Sequence, residues 1–133
     1  MYLLDTNHCI FLINQRYPGV ARCLARQAIG SVAVSSVTVS ELWYGVENSG
    51  RKEQNRAALA KFLLPLEVLP YDERAAQAYG KIRLVLEKAG SSIGAMELLI
   101  AAHALSLPAV LVTHNRREFQ RVPGLKVEDW TGD

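Results

Sequence analysis

Three acidic residues stand at comparable places in the chain, each beside an apolar run. Asp5 ends a short apolar run, Glu41 precedes a second, and Glu97 precedes a third and longer one. In open α/β sheets ligands bind beyond the carboxyl ends of the strands, so an acid that ends a buried strand lies at the edge of a cleft. If the strand ends share one edge, the three carboxylates converge and repel each other, and a hard divalent cation removes that repulsion. Because oxygen ligands favour Mg²⁺ or Mn²⁺, we predict a site for one of these ions at Asp5, Glu41 and Glu97.

The chemistry that fits such a site is metal-assisted hydrolysis of a phosphodiester. A bound ion neutralises charge on the phosphate, activates water and stabilises the leaving oxygen. Zinc is a weaker candidate, because His8, His103 and His114 lack the paired spacing of zinc ligands, and we interpret His103 as a hydrogen-bonded core residue. The serines within 35–40 have no histidine nearby in sequence, although triads assemble in space. No Walker loop or GxGxxG motif is present, which disfavours nucleotide-cofactor enzymes.

Each acid also has a structural interpretation that the sequence leaves open. Asp5 is a preferred residue for capping the helix that follows it. Glu41 ends a capping-box pattern that begins at Thr38, in which its carboxylate bonds back to the start of a helix. Glu97 near the start of an apolar helix gains about 0.3–1 kcal/mol from the helix dipole, while its burial carries a desolvation cost that a partner or a metal offsets.

Alternating strands and helices must position these acids. Short apolar and β-branched runs predict strands at 2–4, 32–34, 66–69 and 109–112, with an edge strand at Val127. Helical spacing and capping residues predict helices at 8–14, 20–29, 38 onward, 56–64, 72–89 and 98–105, with a turn at 48–55. We therefore predict one domain over 1–133, an α/β fold built as a three-layer α/β/α sandwich with a mainly parallel central sheet.

Composition limits the class of protein. Half of the 133 residues are hydrophobic and 21% are charged, which excludes a disordered chain. Cys9 and Cys23 are too few for a disulfide framework and indicate reduced thiols in a cytoplasmic protein. The acid at position 5 interrupts any early signal sequence, and polar residues interrupt the apolar run 98–112, so we expect no membrane span.

The formal net charge is only +2, but the basic residues form clusters. Two interpretations stay open for them, solvated helix faces or phosphate-binding surfaces. The clusters are Arg16, Arg22 and Arg26; Arg51, Lys52, Arg56 and Lys61; and Arg116, Arg117 and Arg121.

Several short motifs occur in a specific order between Leu3 and Trp130. They are LDTN at 4–7, SEL with YG at 40–45, IG and AAHA within 93–104, THN with REF within 113–119, VPGL at 122–125 and EDW at 128–130. In this order and spacing the chain resembles the PIN-domain ribonucleases, and most closely the VapC-type toxins of bacterial toxin–antitoxin pairs. The resemblance implies a PIN-like parallel-sheet sandwich and an Mg²⁺- or Mn²⁺-dependent endoribonuclease. It also implies a cognate antitoxin, operator DNA bound only through that antitoxin, a homodimer, and an RNA substrate such as tRNA.

The resemblance further implies roles for individual residues. Asp5 and Glu41 match the first two metal-site acids, whereas Glu97 stands where the family usually has Asp, so the charge is kept and the reach changes. Asn115 stands where Asp is common; it keeps an oxygen ligand but lacks the charge, and Glu118 is the candidate replacement. We expect one firmly held metal ion, with a second only when RNA phosphate arrives. The supporting and substrate-binding residues implied in the same way are Thr6, Asn7, Thr113, Arg116 and Arg117.

Two other functions stay open beside the endoribonuclease toxin. One is a catalytically weakened PIN-fold binding module that acts with its antitoxin at operator DNA, and the other is a DNA-directed metal nuclease. Trp43, Tyr44 and Val46 exceed what one helix face needs for a core, which predicts either a groove for the antitoxin or ordinary core packing. An inhibitory antitoxin is expected to place an Arg or Lys in the acidic pocket that Asp5, Glu41 and Glu97 form.

Overall fold

Strand β1 (Tyr2–Leu4) lies at the centre of a five-stranded sheet in the computed structural model, which describes residues 1–132. Its neighbours are β2 (Val32–Ser35) and β4 (Val110–Val112), while β3 (Glu67–Leu69) and β5 (Val127–Glu128) form the edges. All four pairs of neighbouring strands run parallel. The predicted parallel sheet, with its edge strand at Val127, is therefore confirmed.

Helices cover both faces of this sheet. They are α1 (Thr6–Ile13), α2 (Pro18–Ala25), α3 (Ser36–Glu47), α4 (Lys52–Leu63), α5 (Glu73–Lys88), α6 (Ala95–Ser106) and α7 (Arg116–Phe119). Successive strand side chains alternate between faces. Leu3 accordingly packs with buried residues of α5 and α6, whereas Leu4 packs with those of α1 to α4. The predicted three-layer α/β/α sandwich is confirmed.

The register aligns the carboxyl ends of the three central strands. Leu4 pairs with Val34 of β2 on one side and with Val112 of β4 on the other. The chain therefore leaves all three strands at one edge, where the backbone N–H of Asp5 donates to the carbonyl of Val112 at 3.0 Å. That edge is where an open parallel sheet binds its ligands.

Helix α6 is buried along most of its length, as its apolar composition predicts. The one imidazole in it, His103, lies with Nδ1 2.7 Å from the hydroxyl of Ser35. Burial lowers the pKa of His103, which keeps the ring neutral. The interpretation of His103 as a hydrogen-bonded core residue is thus correct.

Within residues 1–132 no helix, α6 included, has the length and apolar character needed to cross a membrane.

Helix α3 begins earlier than predicted. It starts at Ser36, and the hydroxyl of Ser35 caps it by accepting a backbone N–H at 3.1 Å. Thr38 therefore lies inside the helix, and the predicted capping box at 38–41 is wrong. Ser35 is the last residue of β2, and its hydroxyl contacts the imidazole of His103. A contact between residues distant in sequence therefore helps to determine where α3 begins.

Other helix boundaries differ for local reasons. Helix α1 begins at Thr6 rather than His8 because Asp5 caps it. Helix α4 begins at Lys52, inside the predicted turn 48–55, with a polar first turn that carries no hydrophobic periodicity. Helix α7, a single turn, was not predicted because four residues are too few to show a period.

Replacing Ser35 by Ala should lower the free energy of unfolding by about 2–4 kcal/mol, because the change removes a cap and leaves the buried imidazole of His103 without its partner. Urea denaturation at unchanged m-value measures this loss. Ser40 is the matched control: it lies exposed on the same helix and its hydroxyl bonds only the carbonyl of Ser36. Ser40→Ala should stay within about 0.5 kcal/mol of the wild type. Equal losses for the two variants would contradict this account.

Candidate active site

Asp5 leaves the centre of the sheet as the first residue after β1. It is 5% exposed, and its Oδ1 accepts the backbone N–H of His8 at 2.8 Å, which caps α1. The capping interpretation of Asp5 is therefore correct. It does not exclude a functional role, because the same carboxylate lines a cavity at the carboxyl edge of the sheet.

Glu41 reaches the same edge from the second turn of α3. Its Oε1 accepts the hydroxyl of Thr6 at 2.5 Å, and that hydroxyl lies 3.4 Å from the hydroxyl of Thr38. Because Thr6 follows Asp5 directly, this bond ties the β1–α1 junction to α3. Thr6 thus orients Glu41 beside Asp5, and its role in supporting a metal site stays a prediction.

Glu97 enters from the first turn of α6, whose N-cap is Gly94. A Cβ at position 94 would collide with the carboxylate of Glu97, so the absence of a side chain there leaves room for the acid. The carboxylate of Glu118 accepts the backbone N–H of Gly94 at 2.9 Å and the amide Nδ2 of Asn115 at 3.0 Å. Glu118 therefore links the start of α6 to the segment that follows β4.

The three acids meet at one cavity of about 90 Å³. The residues that line it are Asp5, Thr6, Asn7, Glu41, Glu97, Ile100, Asn115 and Phe119. They come from the β1–α1 junction, from α3, from α6 and from the segment after β4. The predicted convergence of acids from distant segments is thus present in the structure.

The acids also interact through their charges. The pKa of Glu97 is raised, first by burial and then by the neighbouring charge of Glu118, with Glu41 and Asp5 adding to the shift. A hydrogen bond from its own backbone N–H opposes this rise. Like charges nearby disfavour ionisation, so the neighbouring carboxylates add to the rise that burial causes.

The donor set fits a hard divalent cation. Three carboxylates and the amide oxygen of Asn115 offer oxygen atoms only, which are the ligands of Mg²⁺ and Mn²⁺. Within residues 1–132, no three His, Cys, Asp or Glu side chains are gathered tightly enough to ligate one ion together. Mg²⁺ commonly uses one or two carboxylates and keeps several waters, so the looser arrangement suits this ion.

The other predicted site residues lie around the cavity rather than in it. The buried hydroxyl of Thr113 accepts the backbone N–H of Asn115 at 2.9 Å and so supports that residue. Glu118 does not line the cavity, and its two oxygens are bonded as described above. Arg116 and Arg117 are exposed on α7 and do not line the cavity either.

His8 makes a contact with the site residue Asp5 that sequence reasoning missed. It is fully buried; its Nε2 accepts the backbone N–H of Trp130 at 3.3 Å, and its Nδ1 lies 3.3 Å from Oδ1 of Asp5 without a regular hydrogen bond. Since Nε2 is an acceptor, the ring proton of the neutral form sits on Nδ1, facing the carboxylate. His8 lies three residues after the helix cap Asp5, and this spacing could have predicted their contact. The contact with Trp130 could not be predicted, because Trp130 lies 122 positions away.

Comparison with known proteins identifies the family. The model of the PIN domain matches residues 2–125. The chain belongs to the PIN-domain family. It is 41% identical over 133 residues to ribonuclease VapC2 of Rickettsia felis, covering 98% of each chain, and 43% identical over 129 residues to the tRNA(fMet)-specific endonuclease VapC of Salmonella typhimurium, covering 97% of each. The predicted resemblance to VapC ribonucleases is confirmed.

Solved structures agree with this assignment. The chain superposes with a TM-score of 0.92 on VapBC2 of Rickettsia felis bound to a DNA fragment from its promoter, at 41% identity and with 97% of this chain and 98% of that one covered. DNA-bound VapBC of Salmonella typhimurium gives a TM-score of 0.90 at 40% identity, with 97% of each chain covered. The PIN-like fold is therefore confirmed over nearly the whole chain.

Replacing Glu97 by Gln should make the metal-free protein at least as stable as the wild type at pH 7. Between the pKa of Glu97 in the unfolded chain and its raised pKa in the folded protein, the folded protein holds a proton that the unfolded chain has released. The free energy of unfolding of the wild type therefore falls as the pH rises through this range. In the Glu97→Gln variant this decrease with pH should be absent. Thermal unfolding in EDTA between pH 4 and pH 8 measures both effects.

Glu87→Gln is the control for this substitution. Glu87 is exposed and pairs with Arg83 at 3.1 Å, so its loss should leave the unfolding temperature unchanged or slightly lower. A Glu97→Gln protein that is less stable than the wild type at every pH would show that the carboxylate is favourably paired in the metal-free fold.

Proposed function

We propose that this protein is an Mg²⁺- or Mn²⁺-dependent endoribonuclease toxin of the VapC type, neutralised by a cognate antitoxin. The observation that carries the proposal is the cavity at the carboxyl edge of the sheet, where acids from three distant segments meet. A cleft that crowds negative charge repels an RNA phosphate unless a cation is present. Family membership then makes hydrolysis of RNA the chemistry that fits this arrangement.

One or two of the carboxylates of Asp5, Glu41 and Glu97 would ligate the ion directly, and the others, with the amide oxygen of Asn115, would hold it through its waters. When bound, the ion supplies an activated water and neutralises charge on the phosphate. The chain's own contribution is to fix its ligands: Thr6 orients Glu41 by its hydrogen bond, and Thr113 orients Asn115. With Asn115 in place of a fourth acid, we propose one firmly held ion and a second that arrives with the RNA.

RNA is the substrate we propose, in the cytoplasm, where RNA is available to a toxin. The relatives from Shigella flexneri and Salmonella typhimurium are named tRNA(fMet)-specific endonucleases, which makes tRNA the first substrate to test. The two alternatives, a binding module that has lost catalysis and a DNA-directed nuclease, share this fold. Cleavage experiments with defined RNA and DNA separate all three.

A hollow beside the catalytic cavity provides a place for the antitoxin. It measures about 250 Å³ between α1, α3 and α4 and is mostly apolar, with Ile10, Ile13, Leu42 and Val46 among its lining residues. Glu41 lines both the hollow and the catalytic cavity. We propose that an apolar antitoxin segment fills the hollow and places an Arg or Lys against Glu41, where a desolvated charge pair is strong.

Helix α3 divides its large residues between core and surface. Val46 is buried and lines the hollow, Trp43 packs partly buried against the core, and Tyr44 is 70% exposed. Core packing therefore accounts for Val46 and Trp43, while the groove for the antitoxin stays a proposal. Because related chains are solved as VapBC complexes on DNA, we also propose that this chain meets operator DNA only through its antitoxin, as a homodimer.

Asp5→Asn should reduce RNA cleavage more than about 100-fold, since even residues that only support metal ligands cost about 10–100-fold when changed. It should also abolish the rise in unfolding temperature that Mg²⁺ gives the wild type. Cleavage of tRNA and of single- and double-stranded DNA, in Mg²⁺ and in EDTA, measures the first effect.

Asp72→Asn is the matched control, because Asp72 caps α5 by accepting a backbone N–H at 3.1 Å just as Asp5 caps α1. It should retain full activity, since Asn caps about as well as Asp. Wild-type activity in Asp5→Asn would favour the binding module, and preferential cleavage of DNA would favour the DNA nuclease.

Gly45→Met should weaken antitoxin binding by about tenfold or more, because it puts a side chain into the hollow that the partner fills. A Cβ at Gly45 meets nothing within 4 Å, so the helix itself tolerates the change. Gly80→Met on α5 is the control, as Gly80 is also helical and open. Isothermal titration with the antitoxin compares the two. Tight binding by Gly45→Met would place the partner elsewhere.

A further inference from the structure

The turn between α1 and α2 places a half-buried tyrosine ring and an exposed arginine beside the exposed ring of His114, and the proposed function has not used this group. The Tyr17 ring lies 4.8 Å from Phe11 and 5.8 Å from His114, measured between centroids. The guanidinium of Arg16 lies 5.1 Å from the centroid of the Tyr17 ring. Arg16 is exposed, and the His114 side chain is 53% exposed. We call Arg16, Tyr17 and His114 the ring platform.

The backbone of the turn is held in an unusual conformation. Gln15 and Tyr17 have φ of 55° and 53°, and within residues 1–132 they are the two residues other than glycine with positive φ. A bulky aromatic residue in this region is disfavoured and persists only when its surroundings determine it. Here the N–H of Arg16 donates to the carbonyl of Phe11 at 2.8 Å, and the ring contacts with Phe11 and His114 complete the arrangement.

His114 is anchored from the opposite side. Its Nδ1 lies 2.9 Å from Oδ2 of Asp129 and 3.2 Å from the hydroxyl of Thr131. The pKa of Asp129 is lowered, because hydrogen bonds from Thr131 and His114 outweigh the opposing effect of burial. The anchoring contacts are made at the ring edge, and they fix the plane of an imidazole that is half open to solvent.

The platform adjoins the catalytic cavity. His114 directly precedes Asn115, which lines the cavity, and Phe11 belongs to the same helix whose first residues carry Thr6 and Asn7. Thr6 and Asn7 follow β1, and His114 and Asn115 follow β4, so these four residues lie at the carboxyl edge of the sheet. Phe11 reaches this edge through His114, with 6.3 Å between the ring centroids. A nucleotide next to one whose phosphate occupies the cavity therefore comes within reach of these rings.

We infer that Arg16, Tyr17 and His114 form a nucleotide-binding subsite, in which an unpaired base of the RNA substrate stacks on the exposed His114 ring beside the half-buried Tyr17, and the guanidinium of Arg16 pairs with a phosphate. This inference rests on the proposed ribonuclease function. Aromatic and imidazole rings bind unstacked RNA bases by their faces, and arginine pairs with phosphate through its planar fork of donors. Such a subsite selects single-stranded segments over a continuous duplex, because duplex bases are already stacked.

The test uses two substitutions of His114 that separate stacking from hydrogen bonding. His114→Phe keeps a ring but loses the bond to Asp129, whereas His114→Asn keeps a polar group but loses the ring. In an Asp5→Asn background, fluorescence anisotropy with a short single-stranded RNA measures the Kd. Loss of one stacked base weakens binding about 5- to 150-fold. We expect that loss in His114→Asn and near wild-type binding in His114→Phe.

Arg16→Ala tests the phosphate contact, and Arg26→Ala is its control. Arg26 is exposed at the end of α2, before β2 begins, and so lies at the opposite, amino edge of the sheet. Arg16→Ala should raise the Kd at least about threefold and flatten its salt dependence, while Arg26→Ala should change neither. In the active protein, both Arg16→Ala and His114→Asn should raise KM by a larger factor than they lower kcat.

The outcomes separate this inference from the proposed function. If the wild type cleaves RNA but His114→Asn and Arg16→Ala bind it as tightly as the parent, the platform is not a subsite and the nuclease proposal stands. If His114→Phe fails and His114→Asn binds normally, the imidazole acts only through its bond to Asp129, and the inference is overturned. If the wild type neither binds nor cleaves RNA, both proposals fail together.

Discussion

Mutual repulsion between carboxylates at one edge of the sheet is the constraint around which this molecule is built. The parallel register that pairs Leu4 with Val34 and Val112 brings three strand ends together. The segments after β1 and β2 bring Asp5 and Glu41 to a single cavity, and the first turn of α6 brings Glu97 to it. Burial raises the pKa of Glu97, and the charges of Glu118, Glu41 and Asp5 add to the shift. Such an arrangement opposes folding, and proteins keep it where the charge has a use, as at sites that bind cations.

The surrounding fold offsets this repulsion by hydrogen bonding and by burial. Two acids of the cavity and the neighbouring Glu118 have fixed donors: the N–H of His8 for Asp5, the hydroxyl of Thr6 for Glu41, and the N–H of Gly94 for Glu118. Two apolar cores, one on each face of the sheet, hold the strand ends in place. Charge is thus concentrated at the one edge that the cores leave open.

Helix α1 connects the three surfaces that carry the proposed activities. Its first residues, Thr6 and Asn7, line the catalytic cavity, Ile10 and Ile13 line the hollow, and Phe11 supports the ring platform. Successive residues of a helix are turned by about 100°, so eight residues are enough to face three directions. A partner bound in the hollow would therefore contact the same helix that positions the catalytic cavity.

Local pattern was sufficient for much of this description. Hydrophobic periodicity, capping residues and composition act over a few residues, so the sequence could predict elements that depend on them. These were the strand before Asp5, the helix cap at Asp72, the apolar helix α6 and the edge strand at Val127. The order of short motifs was specific enough to indicate the PIN-domain family. The convergence of Asp5 and Glu41 also followed from sequence, since parallel strands place their carboxyl ends together. Glu97 was predicted to join them from its position at the start of an apolar helix.

The remaining features depend on residues that are far apart in the chain. The cap of α3 falls on Ser35 rather than Thr38, and Ser35 is held there by His103, 68 positions away. Glu118 bonds Gly94 instead of lining the cavity, and His8 reaches Asp5 while held by Trp130. No local pattern encodes such pairs, because a hydrogen bond depends on distance in space. Sequence alone determined which residues could carry the chemistry. Only tertiary packing decided which of them meet, because these interactions act over a few ångströms and packing sets the distances between side chains.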